Sequence, residues 1–308
     1  MSSTAGMRLL DLIDGLNVHV AAGDGSTRVS DLSDDSRTLS PGSLFVARSG
    51  SQGHGRAYIA DALRAGAAAV LTDHLPPDRP DRDVAWLVAE SIDQQLAGRM
   101  AERFWNNPSS ALELIGVTGT NGKTTTAFFI QHLLSRAGLQ CGMIGTVTTD
   151  LGGESKRTAA TLTTPGAIDL SRYLAAMVGH GCRAAVLEVS SHGLDQGRAS
   201  ALHFDVAVFT NLTGDHLDYH PTMDEYAAAK AKLFEQLGPQ ACAVINSEDT
   251  YAARMLRSCR ARVLRCGSSV HADCRSEIVR ANANHSHIRF HGSWGSAEAK
   301  FPLIGAFN

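Results

Sequence analysis

One stretch limits the possible folds of this chain more than any other: Leu114-Ile-Gly-Val-Thr-Gly-Thr-Asn-Gly-Lys-Thr-Thr-Thr-Ala-Phe-Phe-Ile130. An apolar run ends in a glycine-rich loop, the loop ends in Gly122-Lys123-Thr124, and a helical pattern follows. Strand, glycine loop and helix in that order make a phosphate cradle. Glycines let backbone N–H groups approach phosphate oxygens, and the helix N-terminus adds a favourable field. The lysine would reach the β/γ-phosphates, and the Thr124 hydroxyl would suit Mg²⁺. In the usual spacing G-x-x-x-x-G-K-[ST] the first position is Gly; here it is Val117, with Gly116 before it and Gly119 inside the loop. The loop is a variant of the P-loop. The bland reading is a glycine-rich turn between strand and helix.

At 308 residues the chain suits two domains or one large one. A net charge of −3 predicts no polyanion-binding surface, so nucleic acid is not an expected partner. The cysteines at 141, 182, 242, 259, 266 and 274 form no C-x-x-C pair, which argues for reduced thiols in a cytoplasmic protein and against zinc. No basic segment followed by an apolar run opens the chain, and no run of about 18 apolar residues spans a membrane.

In chain order, 7–16 has helical spacing, Leu44-Phe-Val-Ala47 reads as a strand, 57–66 as a helix and 67–72 as a buried strand. Residues 92–105 read as a helix, and Asn106-Asn-Pro-Ser-Ser110 breaks the pattern. This predicts a small α/β domain over 1–107. Over 108–308 the alternation resumes: strand 112–117, the P-loop and its helix to about Ala137, then strands at 141–146, 184–189, 206–210 and 243–246 with helices at 168–178 and 223–237. The expected architecture is a doubly wound, mostly parallel sheet. The alternation within 276–304 predicts antiparallel strands.

Ligands of such sheets sit at the carboxyl ends of the strands, and three polar clusters fall there. Thr163-Thr164 precedes Pro165 and reads as a helix cap or as part of a site. Glu188 reads as a surface charge at a strand end or as the acidic group that holds Mg²⁺ in a P-loop enzyme. Asp215, His216, Asp218 and His220 read as a solvated loop or, from their density after a strand, as metal and phosphate contacts, with His220 read as structural. Lys230 and Lys232 lie on a helical pattern that makes both solvent-facing.

Together these motifs resemble the Mur ligases, ATP-dependent amide-forming enzymes of peptidoglycan synthesis, and among them the muramoyl-tripeptide synthetases. The resemblance rests on Asp35-Ser-Arg37, Pro41-Gly-Ser-Leu-Phe-Val46, Gly119-Thr-Asn-Gly-Lys-Thr-Thr125, Thr163-Thr-Pro165 and Glu188-Val-Ser-Ser-His-Gly-Leu194 with Gln196 and Arg198. It continues through Asn211-Leu-Thr-Gly-Asp-His-Leu-Asp-Tyr-His220, Tyr226-Ala-Ala-Ala-Lys230 and Gly305-Ala-Phe-Asn308. The P-loop alone is shared with folylpolyglutamate and cyanophycin synthetases. Ser-Ser-His-Gly-Leu is the more specific segment.

The resemblance implies a role for each matching position. Ser36 with Ser51, Gln52 and Gly53 would hold the UDP part, although this loop differs from the commoner His-Gln-Ala form. Thr163, Thr164, Ser190, Gln196 and Arg198 would bind the muramoyl peptide. Gly119, Thr120, Asn121, Gly122, Lys123, Thr124 and Thr125 would bind ATP. Thr124 and Glu188 would hold Mg²⁺, and His216 would lie near a second Mg²⁺. Lys230 matches a lysine that the family carries as a CO₂-derived carbamate. Lys123, His216 and Lys230 would be the catalytic set.

The implied reaction adds an amino acid, diaminopimelate or lysine, to UDP-MurNAc-L-Ala-D-Glu through an acyl phosphate. Diaminopimelate is preferred as the family's commoner choice. A monomer is expected. Family members carry a third, C-terminal α/β domain that this chain is expected to lack, so ligation by the chain alone is expected to be poor. The alternatives are a nucleotide-binding module without catalysis and a folylpolyglutamate synthetase-like ligase.

Overall fold

The computed structural model describes residues 6–50, 53–76, 83–153, 157–160, 162–215 and 218–302. The chain forms two compact units. The first comprises Met1–Pro108, Pro165–Ala175 and Gly197–Leu202; the second comprises Ser109–Thr164, Ala176–Gln196 and His203–Asn308.

The first unit holds a five-stranded sheet in the order His19–Ala22, Ala85–Val88, Ala69–Thr72, Leu44–Val46, Leu32–Ser33. The first pair is antiparallel and the others are parallel. Strand side chains alternate between faces, and the core divides accordingly. Leu44, Val46, Leu71 and Leu87 pack with Leu9, Leu12 and Met100 on one face. Phe45, Val70 and Trp86 pack with Ile59 and Ala62 on the other. Burial on both faces is why these strands read as unbroken apolar runs.

Local details differ from the sequence reading. The helix expected over 7–16 is a two-residue strand, Met7–Arg8, followed by the helix Leu9–Ile13, because Met7 pairs with Val29 instead of entering the helix. Residues 85–88 form an interior strand that the sequence reading did not assign.

Among the described residues, the second unit is built on an eleven-stranded sheet. Seven adjacent strands run parallel, in the order Cys141–Ile144, Ala184–Glu188, Glu113–Thr118, Val206–Phe209, Cys242–Asn246, Arg262–Gly267, Cys274–Ala281. The chain enters at Glu113–Thr118, moves to one side, then crosses to the other. The carboxyl end of that strand is therefore the topological switch point, and the glycine loop begins there. Thr148–Asp150 and Arg157–Ala159 extend one edge antiparallel. At the other edge Cys274–Ala281 pairs parallel with Arg262–Gly267 and opens an antiparallel meander with Ser286–Gly292 and Gly295–Phe301, where antiparallel strands are expected. The P-loop helix, Lys123–Arg136, packs Ala127, Phe128 and Ile130 against Ile115, Val117, Met143 and Val186 of the sheet. Among the described residues no helix is long and apolar enough to cross a membrane.

Candidate nucleotide site

The loop backbone is set by two glycines. Gly119 has φ +149° and Gly122, which precedes the first helical residue, has φ +83°. A Cβ at Gly119 would collide with the Thr210 hydroxyl oxygen and lie 3.0 Å from the Asn211 carbonyl oxygen. Left-handed backbone and collision act together there. Gly119→Ala is expected to lower unfolding stability by about 2 kcal/mol or more and to abolish detectable nucleotide binding. A thermal midpoint equal to wild type would contradict this.

The segment after the strand Val206–Phe209 clamps the loop from the side. Thr120 N–H donates to the Asn211 carbonyl at 2.8 Å, and Asn121 N–H donates to Asn211 Oδ1 at 3.0 Å. Thr210 Oγ1 and Asn211 Nδ2 donate to the Asn121 carbonyl at 2.7 and 3.1 Å. That segment is itself anchored: Asn246 Nδ2 donates to the Thr210 carbonyl, and Leu212 N–H donates to Asp249 Oδ2, each at 2.8 Å. Asn121, Gly122 and Thr125 remain exposed, so the loop and the first turn of its helix are open to a ligand.

Two lysines converge on the loop from inside. Lys123 Nζ donates to the carbonyls of Gly119 and Thr120, each at 2.9 Å. Lys230 Nζ donates to the same Gly119 carbonyl at 2.7 Å and lies 4.4 Å from the centre of the Tyr226 ring. Lys230 is 1% exposed, which corrects the solvent-facing expectation. Its helix, Met223–Glu235, buries Tyr226, Ala227, Ala229, Lys230, Ala231, Leu233 and Phe234, so little of the middle of its surface faces water. Lys232 does match the expectation, half-exposed and paired with Asp195 at 2.7 Å.

Burial pushes the Lys230 pKa down to about 7, and the neighbouring Lys123 adds to the effect against a weaker opposing pull from Asp215. Burial also lowers that of Lys123, opposed by Glu188 and Asp215. The sign for stability follows. Between pH 7 and the ordinary lysine range, the unfolded chain holds a proton on Lys230 that the folded chain has released. In the nucleotide-free protein Lys230 therefore makes stability rise with pH above 7, with a slope approaching ~1.4 kcal/mol per pH unit. Denaturant unfolding of wild type and Lys230→Met between pH 7 and 9 should show this component only in wild type; parallel pH profiles would refute it.

The carboxylate facing the loop is Glu188, the last residue of its strand and 0% exposed. It is not the surface charge that one reading allowed. Its Oε2 accepts from Thr124 Oγ1 at 2.8 Å and from Thr146 Oγ1 at 3.0 Å, and its Oε1 accepts from Thr146 N–H at 3.0 Å. One buried carboxylate beside one P-loop hydroxyl is a hard-oxygen pair that suits Mg²⁺, which takes few protein ligands and keeps water and phosphate oxygens.

Other expected residues gather beside Glu188. The Thr164 hydroxyl donates to the Glu188 carbonyl and accepts from Ser190 N–H, both at 3.0 Å. It ties the loop before Pro165 to the end of the strand Ala184–Glu188. Ser190 Oγ accepts from Gly193 N–H at 3.1 Å and caps the short helix Ser191–Asp195. The Thr163 and Thr146 hydroxyls lie 3.1 Å apart. Gln196 closes that short helix. Arg198 belongs to the first unit, in its Gly197–Leu202 segment, and Ser36 and Gly53 belong to the same unit, in its Met1–Pro108 segment. Ser51, Gln52 and His216 lie outside the described residues.

Sequence reasoning gave no role to Thr146, Asn211 or Tyr226. Thr146 carried no signal beyond its place just past a strand end. Asn211 and Tyr226 stood inside quoted motifs, Tyr226 one helical turn before Lys230.

Comparison with known proteins fits this geometry. Residues 117–308 match the Mur ligase middle domain, and residues 28–102 match the Mur ligase family catalytic domain. The chain is similar to the UDP-N-acetylmuramoyl-L-alanyl-D-glutamate–2,6-diaminopimelate ligase of Ralstonia nicotianae, 40% identical over 98% of this chain and 60% of that protein. The protein of the same name from Chlorobium phaeobacteroides is 46% identical over 81% of this chain and 49% of that one. A solved structure of a ligase of that name superposes with a TM-score of 0.80 at 29% identity, over 98% of this chain and 61% of that one. The chain thus spans about half to three-fifths of the length of these relatives.

Proposed function

The chain belongs to the Mur ligase family, and we propose that it carries the UDP-sugar and ATP sites of an ATP-dependent ligase that joins diaminopimelate to UDP-MurNAc-L-Ala-D-Glu. Diaminopimelate is preferred to lysine because the relatives cited above are named for it. The observation that carries the reading is the meeting of Lys123, Lys230 and the Thr124–Glu188 pair on one glycine loop. Residues 1–107 would serve the UDP end, through Ser36 and the 51–53 loop, and residues 108–308 would serve ATP.

The reaction class is carboxylate activation. The free carboxylate of the muramoyl dipeptide attacks the γ-phosphorus of ATP and releases ADP; the amine then attacks the acyl phosphate, forming the amide and releasing phosphate. Thr124 and Glu188 would hold Mg²⁺, whose charge would offset that of the phosphates. Backbone N–H groups around Gly122 and the helix N-terminus would receive phosphate oxygens. Lys123 would leave the Gly119 and Thr120 carbonyls and neutralise charge on the transferring group. Thr163, Thr164 and Ser190, beside Glu188, are placed to bring the acceptor to the same strand ends, where positioning supplies much of the rate.

Lys230 supports the carbamate reading. Two ammonium groups on one carbonyl repel each other. A neutral Lys230 amine can attack CO₂, forming an N–C bond and losing its proton to water. The anion so formed would turn that repulsion into attraction toward Lys123 and supply another oxygen ligand.

The test is ligation by the full-length gene product with ATP, UDP-MurNAc-L-Ala-D-Glu and diaminopimelate or lysine, with a folate acceptor in competition. Amide formation with the muramoyl dipeptide is the expected result. Turnover of the folate acceptor alone would replace this reading with the folylpolyglutamate one.

A further inference from the structure

We infer that Tyr226 is a positioning residue that fixes the P-loop against the lysine beneath it, by binding Thr120 with its hydroxyl and Lys230 with its ring. The inference rests on the reading of the loop as a nucleotide site.

Tyr226 is fully buried. Its hydroxyl lies 3.2 Å from Thr120 Oγ1, and its ring face carries Lys230 Nζ at 4.4 Å. The ring contact follows from helical spacing: Lys230 stands four positions after Tyr226, so the two share one face of the helix. The phase of that helix is set at its start. Thr222 accepts from Glu225 N–H while the Glu225 carboxylate accepts from Thr222 N–H, a reciprocal cap. The His220 ring, itself 4% exposed, packs on Tyr226 at 5.2 Å between centroids. The phenol therefore has little freedom to leave.

Thr120 is the residue this matters for. Its N–H and hydroxyl also bind the segment after the strand Val206–Phe209, with Thr120 N–H on the Asn211 carbonyl and Thr213 N–H on Thr120 Oγ1. Through Thr120, the phenol hydroxyl holds the middle of the loop whose N–H groups would receive phosphate. Through its ring, it holds the Lys230 amine under Gly119, one residue away. A buried aromatic with only a packing role would need neither the hydroxyl at Thr120 nor the Lys230 nitrogen on its face.

The experiment is a double-variant cycle on the full-length protein, with Tyr226→Phe and Thr120→Val singly and together. Mg·ADP affinity is measured by calorimetry well below each melting temperature. Tyr226→Phe keeps the ring and removes only the hydroxyl, and Thr120→Val removes the partner without touching the helix. Tyr226→Phe should weaken Mg·ADP about 3- to 10-fold, the range of one buried hydrogen bond, and Thr120→Val, which also takes the hydroxyl from Thr213, at least as much. The pair together should weaken it no more than the worse single change, because both remove the same contact. Wild-type affinity in Tyr226→Phe, or losses that multiply in the double variant, would overturn the inference. A merely structural role would lower melting temperatures and leave the folded-state affinities unchanged, and so would overturn it too. If the unmodified protein did not bind Mg·ADP, the nucleotide reading itself would fall.

Discussion

In the full-length gene product, Lys123→Met should lower kcat/KM for the proposed ligation by about 10³-fold, the scale expected when a preorganised cation is removed from a transferring phosphoryl group. Methionine keeps the length and apolar stem of the side chain, so the change isolates the charge. In the structure the lysine spends its hydrogen bonds on the Gly119 and Thr120 carbonyls. Those contacts hold the ammonium at the loop in advance, and burial has already lowered its hydration. One structural cost follows from the removal. The Gly119 carbonyl keeps Lys230 as a donor at 2.7 Å, but Thr120 O loses its lysine donor. The stability change is therefore expected to stay within about 1–3 kcal/mol, far from global unfolding. A coupled assay for ADP release, beside thermal unfolding of the same samples, separates the two effects. Turnover within tenfold of wild type would eliminate Lys123 as the phosphoryl-stabilising group.

Much of this site is legible in the sequence because its chemistry is local. Gly119 to Thr124 must be contiguous for the loop to curl, and a strand must precede it and a helix follow. Glu188 is legible because it ends an apolar run, where a doubly wound sheet presents its ligands. What stays hidden is burial that depends on distant partners. The stretch Tyr226-Ala-Ala-Ala-Lys230 shows no apolar stripe that would mark Lys230 as internal, since alanine suits either face of a helix. The small side chains let the helix be covered on most sides, and a lysine ends up under the loop. Thr146 is hidden for another reason: its role is created by strand order, which places Cys141–Ile144 beside Ala184–Glu188.

Lys230 provides the sharpest division between stability and function. Lys230→Met should reduce ligation by at least about 10²-fold, and added bicarbonate should not restore it, because no amine remains to carry a carbamate. The same substitution should leave the protein as stable as wild type or more so. An ammonium with 1% exposure and a second lysine on the same carbonyl is a costly group to bury, and exchange for an apolar side chain of similar volume removes that cost. The Gly119 carbonyl would still have Lys123 as a donor at 2.9 Å, so no buried acceptor is stranded. Lys230→Ala is the weaker probe, since it would add a cavity under Tyr226 and confuse the two readouts. The comparison is melting temperature at pH 7 against kcat for amide formation, with and without bicarbonate. A fall in stability with full activity would make Lys230 a structural residue. Loss of activity at unchanged or raised stability would mean that the fold tolerates a destabilising lysine for what it does at the nucleotide.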